Sequence, residues 1–451
     1  MNPKIFGEYE IVGTVGVDLT EETVYELSRA IAAFYRLNMA KRISLGRDAR
    51  LSSLRFRDLI VKGLTESGCD IVDAGVVPTP VLSFIGFTQN VDGGVMITAS
   101  HHPPDCNGFK IILGKNPISG DQIRQIRDLA VSKRFVAGSG GAGEREVLPD
   151  YLRYLISNMS FGDRAPRVVV DAGNGVGGIT AVPFYRSLGC EVIDLFTDPD
   201  GRFPNHPPDP AAESNTRAAA AAVTANKADA AIVLDGDGDR IAVVDETGAV
   251  LSPIQLLVIF SRSILKQRPD ASFIVESDCS QSALDDIRER GGSTIPWRIE
   301  DASIKDRIGE TGAVLACCKK GHFFFADRYY GYDDAVYAGA RLLEILSLTK
   351  GPLSSLLSGL PTLFAAPETH LPCPDDKKLG VVWGLIEHFR KTNEVIEIDG
   401  ARIIFEHGWG LVRPARTRPE LVLRFEADTS AHLDEIQNQV RERVEALIPK
   451  D

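Results

Sequence analysis

Four short stretches of this sequence combine residue types that could do chemistry. The first is Thr98-Ala99-Ser100-His101-His102-Pro103-Pro104-Asp105-Cys106-Asn107-Gly108-Phe109-Lys110. It sets a hydroxyl nucleophile, two imidazoles and a lysine between two apolar runs, Gly94–Ile97 and Phe109–Leu113. Loops held by rigid strands are where reactive side chains gather, although Pro-Pro and Asn-Gly are also ordinary turn residues. The second is Asp235-Gly236-Asp237-Gly238-Asp239-Arg240. Its glycines let the backbone fold tightly enough to aim three carboxylates at one point, and oxygen-only ligation suits Mg²⁺. Without a cation, three such charges repel one another. An EF-hand is excluded, because the position that must be glycine is Arg240 and the flanks read as strands.

The third stretch, Gly173-Asn174-Gly175-Val176-Gly177-Gly178, satisfies G-x-G-x-x-G after a strand. Asp194 follows at about the 20-residue interval of a dinucleotide fingerprint. An NAD(P)-dependent dehydrogenase is therefore the alternative from another class. Against it, the next helix is expected to start late, over Ala181–Leu188, and to contain Pro183. The aspartate loop would also have no role in hydride transfer. The fourth stretch, Arg413-Pro414-Ala415-Arg416-Thr417-Arg418-Pro419, reads as an anion clamp, since guanidinium forks match phosphate oxygens. A solvated basic turn is its bland alternative. Lys319-Lys320-Gly321-His322 is an exposed turn on the same terms, and His322 taken alone reads as structural.

These loops need elements to position them. Thr20 can cap a helix with Glu21 and Glu22 in its first turn, and Val24, Leu27, Ile31 and Phe34 share one face of it. Ile43–Gly46 and Asp70–Gly75 read as strands flanking a helix from Leu54 to Leu64. The alternation recurs with strands at Arg167–Asp171, Glu191–Asp194 and Asp229–Leu234, then with helix Gln255–Leu265 and strands Ser272–Val275 and Ala313–Ala316. Pro361–Pro374 reads as a linker, followed by strands near Ile403 and at Leu421–Phe425 and by an amphipathic helix, His432–Leu447. Alternating strands and helices predict α/β layers, with the polar loops at the strand carboxyl ends where open α/β sheets bind ligands.

The chain has 451 residues, 44% hydrophobic and 25% charged, the balance of a globular protein of about three domains. A formal charge of -12 without a dense Lys/Arg run argues against a nucleic-acid partner. Seven cysteines at wide spacings, without C-x-x-C, argue against disulfides or a zinc site and for a reducing compartment. With neither an export signal nor a membrane span in view, a cytoplasmic protein is expected.

Together the loops resemble the α-D-phosphohexomutase superfamily, in particular its bacterial phosphomannomutase/phosphoglucomutase branch, over essentially the whole chain. Thr98–Pro103 is similar to the phosphoserine loop T-A-S-H-N-P, and Asp235–Arg240 is identical to the metal loop D-G-D-G-D-R. Gly331–Asp334 with Ala340–Glu344, Gly408–Arg413 and Leu421–Ala427 match further family segments. The resemblance implies three tandem α/β mixed-sheet domains (1–148, 149–251 and 252–364) and a smaller C-terminal α+β domain (365–451) around a central cleft. It implies a phosphohexomutase that moves phosphate between the 1- and 6-positions of mannose or glucose through a hexose bisphosphate. Ser100 would carry the phosphoryl group, and Asp235, Asp237 and Asp239, with phosphorylated Ser100, would hold Mg²⁺. Lys110 and His322 take the general acid/base positions, with desolvation and nearby cations bringing the lysine toward neutral pH, and His101 and Arg240 support the phosphoryl group.

Departures fall in the substrate-reading parts. Where the family reads G-E-x-S-G-H, this chain has Cys317-Cys318-Lys319-Lys320-Gly321-His322. Cys318 and Lys320 thus replace a glutamate and a serine that grip sugar hydroxyls. Val12 replaces the arginine of Y-D-I-R-G, with Tyr9 and Gly13 kept. In the phosphate loop Ala415 and Arg416 replace serine and asparagine, while Arg413 and Thr417 match. Lys319, Lys320, Arg416 and Arg418 add positive charge, which motivates a more anionic substrate, or a hexose-bisphosphate synthase, as the alternative. A non-catalytic sugar-phosphate binder is the remaining one.

Overall fold

The structure, a computed structural model, describes residues 1–298, 303–415 and 418–448. The chain divides into two compact units. One comprises Met1–Pro253, Lys305–Glu310 and Lys320–Leu356, the other Ile254–Ile304, Thr311–Lys319 and Leu357–Asp451.

In the first unit, one mixed sheet runs in the order Ile11–Thr14, Cys106–Leu113, Gly93–Ile97, Arg42–Arg47, Asp70–Val76, Ala142–Glu144. Every residue of Gly93–Ile97 is buried, as a strand covered on both faces requires. Thr20 does cap the helix Glu21–Leu37, accepting from the Thr23 amide, and Val24, Leu27, Ile31 and Phe34 are buried along it. Truncating Leu27 to alanine would cost about 2–5 kcal/mol. Cys106–Leu113 runs antiparallel to Gly93–Ile97 with Lys110 opposite Met96, so the strand-to-strand turn carries Ser100 and returns with Lys110 beside it.

The second sheet of this unit runs Val250–Leu251, Ile241–Asp245, Ala230–Leu234, Arg167–Asp171, Glu191–Leu195. Ala230–Leu234 and Arg167–Asp171 are parallel, with Val233 opposite Asp171. Asp235–Arg240 closes the hairpin from Leu234 to Ile241. The aspartate loop and the Gly173–Gly178 turn therefore leave the carboxyl ends of adjacent strands, the ligand side of such sheets.

In the second unit, Ser272–Glu276 pairs parallel with Ser293–Trp297 and Leu315–Cys317. The C-terminal sheet is an antiparallel meander of Glu394–Ile396, Ala401–Phe405, Gly408–Pro414 and Glu420–Ala427. Helices Asp375–Phe389 and Ser430–Leu447 pack against it around Leu385, Leu423, Phe425 and Val440. The fold class is the expected one: successive α/β mixed sheets, then a smaller α+β sheet.

Two local expectations fail. Pro361–Pro374 is not a bare linker, because Phe364–Ala365 and Thr369–Pro372 both add to the strand Glu420–Ala427. Edge strands accept prolines because one row of their amides faces outward. The helix after the glycine turn begins at Gly178, not Ala181, and runs to Ser187 through Pro183. No helix among the described residues is long and apolar enough to cross a membrane.

Candidate active site

Ser100 is buried and has a left-handed backbone, with φ of 46°. A residue with a Cβ holds that conformation only when its surroundings impose it, and such residues gather at functional sites. Here Thr98 Oγ1 accepts the Ser100 amide at 2.9 Å. Beneath the loop lies Arg50, which the sequence reading missed. Its guanidinium donates to the carbonyl oxygens of Ser100 (2.8 Å), His102 (2.7 Å), Pro103 (2.6 Å) and Cys106 (3.0 Å). Its Nε donates to Asp48 at 3.1 Å. One buried cation thus satisfies a turn's worth of inward carbonyls that would otherwise be orphaned.

Ser100 Oγ donates to Asp235 Oδ2 at 2.9 Å. Asp235 is locked by its own loop: Oδ1 accepts the amides of Gly238, Asp239 and Arg240 at 2.9, 3.0 and 3.1 Å. Asp237 Oδ2 accepts from Thr79 Oγ1 and from Lys110 Nζ, each at 2.6 Å. Asp239 Oδ2 accepts from Lys110 Nζ at 2.5 Å. The other oxygens, Asp237 Oδ1 and Asp239 Oδ1, are buried and lack hydrogen-bond partners among the described residues. One carboxylate oxygen from each of the three aspartates lies within 4.8 Å of the other two. Buried carboxylate oxygens without donors cost several kcal/mol unless a cation meets them, so this donor set fits a hard divalent ion such as Mg²⁺.

Burial pushes the Asp235 and Asp239 carboxyls up, as do their mutual repulsion and that of Asp237. Burial opposes the Lys110 charge, but Asp237, Asp239, Glu10 and Asp235 outweigh it and hold the ammonium well above the ordinary lysine range. That corrects the expected direction. The groups nearest Lys110 are carboxylates rather than cations, so its positive form is favoured.

Arg240 Nε donates to Asp235 Oδ2 at 3.0 Å, and Nη1 to Asp209 Oδ1 at 3.4 Å. Its Nη2 is buried and without a partner among the described residues. His101 Nδ1 lies 3.4 Å from Ser100 Oγ. Burial, then Arg240 and His102, push its pKa down to about 4, leaving it neutral at pH 7. His322 Nδ1 is 2.7 Å from Asp333 Oδ2 and 3.8 Å from Asp239 Oδ1. Burial opposes its protonation, but Asp239 and Asp333 raise its pKa overall. Asp334 caps the helix Ala335–Ser347, and the Ala335 amide donates to the Gly238 carbonyl, tying that segment to the aspartate loop.

The glycine turn has a different job from the dinucleotide one. A Cβ on Gly175 would lie 2.7 Å from the Gly236 carbonyl oxygen, and one on Gly236 would lie 2.4 Å from that of Ser100. Three backbones meet here: glycine turn, aspartate loop and serine loop. Gly236 of the aspartate loop packs directly on this turn, which argues against a pyrophosphate lying there.

A second missed group is the run His206-Pro207-Pro208-Asp209. His206 Nδ1 faces the Pro207 carbonyl at 2.8 Å, and Nε2 faces Asp171 at 3.1 and 3.2 Å. Both partners are acceptors, so the ring is held doubly protonated. Burial opposes this, but Asp171 raises the His206 pKa. This clamp sets the path of Asp209 toward Arg240. An H-P-P-D-P run in a loop was the only sequence signal for it.

Residues 3–137, 149–248 and 252–364 match the phosphoglucomutase/phosphomannomutase alpha/beta/alpha domains I, II and III, and 368–443 match the C-terminal domain. The chain belongs to this family. It is 37% identical over 444 residues to a phosphomannomutase/phosphoglucomutase of Pseudomonas aeruginosa, covering 98% of this chain and 96% of the relative. It is 39% identical over 447 residues to a phosphoglucomutase of Neisseria meningitidis, covering 98% and 97%. A crystal structure of a family protein from Burkholderia thailandensis superposes with a TM-score of 0.92 at 37% identity, covering 99% and 98%.

Within this phosphohexomutase frame, Ser100, His101, Lys110, the three aspartates, Arg240 and His322 all lie in the first unit. Tyr9 is half-buried before the strand Ile11–Thr14, in which Val12 pairs with Gly108. Cys318 is buried in the second unit, and Lys320 is exposed. Lys319 does not offer a spare charge: Nζ lies 3.2 Å from Asp278 and 3.3 Å from Glu368, and its amide donates to Glu276 at 2.7 Å. The positive loop that motivated a more anionic substrate is thus partly neutralised. Arg413 is the penultimate residue of the strand Gly408–Pro414, and Ala415 is buried. Lys378 Nζ fixes the start and end of that turn through the Ala415 and Arg418 carbonyls, at 2.6 and 2.9 Å. Arg416 and Thr417 lie outside the described residues.

Proposed function

We propose that the protein interconverts a hexose 1-phosphate and the hexose 6-phosphate, with mannose or glucose as the sugar. The phosphoryl group is carried on Ser100 Oγ, and a hexose bisphosphate is the intermediate. The observation that carries this reading is Ser100 Oγ held 2.9 Å from Asp235, the first aspartate of a loop in which Asp237 Oδ1 and Asp239 Oδ1 are buried without donors among the described residues.

Phosphorylated Ser100 passes its phosphoryl group to the free hydroxyl of a sugar monophosphate. The P–Oγ bond breaks, a P–O bond to the sugar forms, and the hydroxyl proton leaves to a base. The bisphosphate turns over, and its other phosphoryl group returns to Ser100. Mg²⁺ bound by Asp235, Asp237, Asp239 and phosphorylated Ser100 would neutralise charge developing on the transferred group. Arg240 holds Nη2 in reserve as a buried donor for phosphoryl oxygens, and neutral His101 stands beside Oγ. Lys110 Nζ and His322 are the groups we assign to the general acid/base positions, and the ammonium form in which the aspartates hold Lys110 equips it to give a proton rather than take one. Tyr9, Cys318, Lys320, Arg413, Ala415, Arg416 and Thr417 we assign to the substrate, in domains bounded near residues 148, 251 and 364. Seven free cysteines support a cytoplasmic location.

The test is direct. Intact-mass analysis should find a labile phosphate that maps to Ser100, and Ser100→Ala should lose it along with at least about 10³-fold of kcat. Chelation should abolish turnover and Mg²⁺ restore it, whereas Asp237→Asn and Asp239→Asn should not be rescued. Full activity in the unphosphorylatable variant would overturn the proposal.

A further inference from the structure

Away from the phosphoryl-transfer residues, the C-terminal sheet carries a second cluster with metal-ligating chemistry. His407 occupies the two-residue turn between strands Ala401–Phe405 and Gly408–Pro414. Asp428 follows the strand Glu420–Ala427, and His432 lies in the first turn of the helix Ser430–Leu447. The imidazoles of His407 and His432 stack with centroids 3.9 Å apart and planes 7° from parallel. Both aim Nδ1 at one carboxylate: His407 at Asp428 Oδ2 (3.1 Å), His432 at Asp428 Oδ1 (2.5 Å).

Regular structure fixes the backbones that carry these groups. The Asp428 amide donates to the His407 carbonyl at 3.0 Å, and Thr429 caps the helix by accepting from the His432 amide at 3.2 Å. Candidate ligand atoms of the three residues lie within 4.8 Å of one another. A tetrahedral ion with bonds of about 2.1 Å needs its ligand atoms roughly 3.4 Å apart. The half-exposed rings can close that gap by small rotations. His407 and Asp428 also line a groove of about 510 Å³, whose walls carry Glu289 and Glu406. Those carboxylates raise the local cation concentration, and Asp428 offsets the helix dipole, which alone would oppose a cation there.

We propose that His407, Asp428 and His432 form a transition-metal site, distinct in chemistry from the aspartate loop. Two imidazoles and one carboxylate suit Zn²⁺, Ni²⁺ or Co²⁺, whereas Mg²⁺ prefers oxygen ligands. An ion there staples the hairpin turn to the helix whose Leu433, Ile436, Val440 and Val444 close the domain core. Its effect is on stability rather than turnover.

The test is a calorimetric titration of chelator-stripped, full-length protein with Ni²⁺, in millimolar Mg²⁺ to keep the aspartate loop supplied. We expect one saturable site with Kd below about 100 μM. His407→Ala and His432→Ala should each weaken it at least about tenfold and abolish the Ni²⁺-dependent rise in Tm, with Mg²⁺-supported turnover unchanged. If both variants bind as the wild type does, the ion sits elsewhere, for example on cysteine, and the proposal fails. Weaker or unsaturable binding by the wild type also overturns it, leaving a surface hydrogen-bonded triad.

Discussion

The guanidinium of Arg50 donates through Nη2 to the carbonyl oxygen of Ser100 at 2.8 Å, turning a buried cation into the floor of the Ser100 loop. Lysine cannot copy this, since one ammonium does not reach four carbonyls in a plane. Arg50→Lys is expected to lower kcat about 10²-fold or more and to destabilise the fold by about 2–4 kcal/mol, because buried acceptors lose their donors. Urea unfolding together with steady-state turnover checks both.

Close approach of three backbones makes a sharper test. Gly236→Ala puts a methyl group 2.4 Å from the Ser100 carbonyl oxygen. It should cost more than about 2 kcal/mol and most of the turnover. Gly143→Ala meets nothing within 4 Å, so it should be neutral or slightly stabilising. Equal effects at the two sites would contradict the packing described.

His206 predicts a pH dependence. Its folded pKa is raised above the unfolded value by Asp171. Its contribution is therefore fully present below the unfolded pKa, near 6.5, and is lost as pH rises through the folded pKa. The stability gap between wild type and His206→Gln should be largest near pH 6 and shrink by pH 9, measured by denaturant unfolding. Because His206 shapes the path of Asp209 to Arg240, kcat should fall in the variant while KM changes little.

Lys319 tests whether the altered loop reads substrate. With Nζ held by Asp278 and Glu368, Lys319→Met should lower Tm, leaving Asp278 its bond from Arg424, at 2.8 Å, but without the lysine. KM for the sugar phosphate should move less than about threefold. A large rise in KM with unchanged Tm would place the ammonium on the substrate instead.

Local patterns in the sequence carried much of this protein. Thr20 as a cap, the buried strands and the contiguous loops at Ser100 and Asp235 were legible because each depends on neighbours a few residues away. The aspartate loop could be read as a cation site from three carboxylates and two glycines alone. Long-range relationships were not legible. Arg50 and Ser100 are far apart in the chain, and the parallel pairing of the strands that precede them, Arg42–Arg47 and Gly93–Ile97, brings guanidinium to carbonyl. The Gly173–Gly178 turn carries a dinucleotide signature, yet tertiary packing fills it with Gly236. The Lys110 pKa shift runs opposite to the expected direction for the same reason: its neighbours in space are aspartates from another sheet, and Coulomb interactions follow distance rather than sequence. Sequence determined which groups could do phosphoryl chemistry. Which of them face one another, and in which state of charge, was decided only by the packing of the strands that carry them.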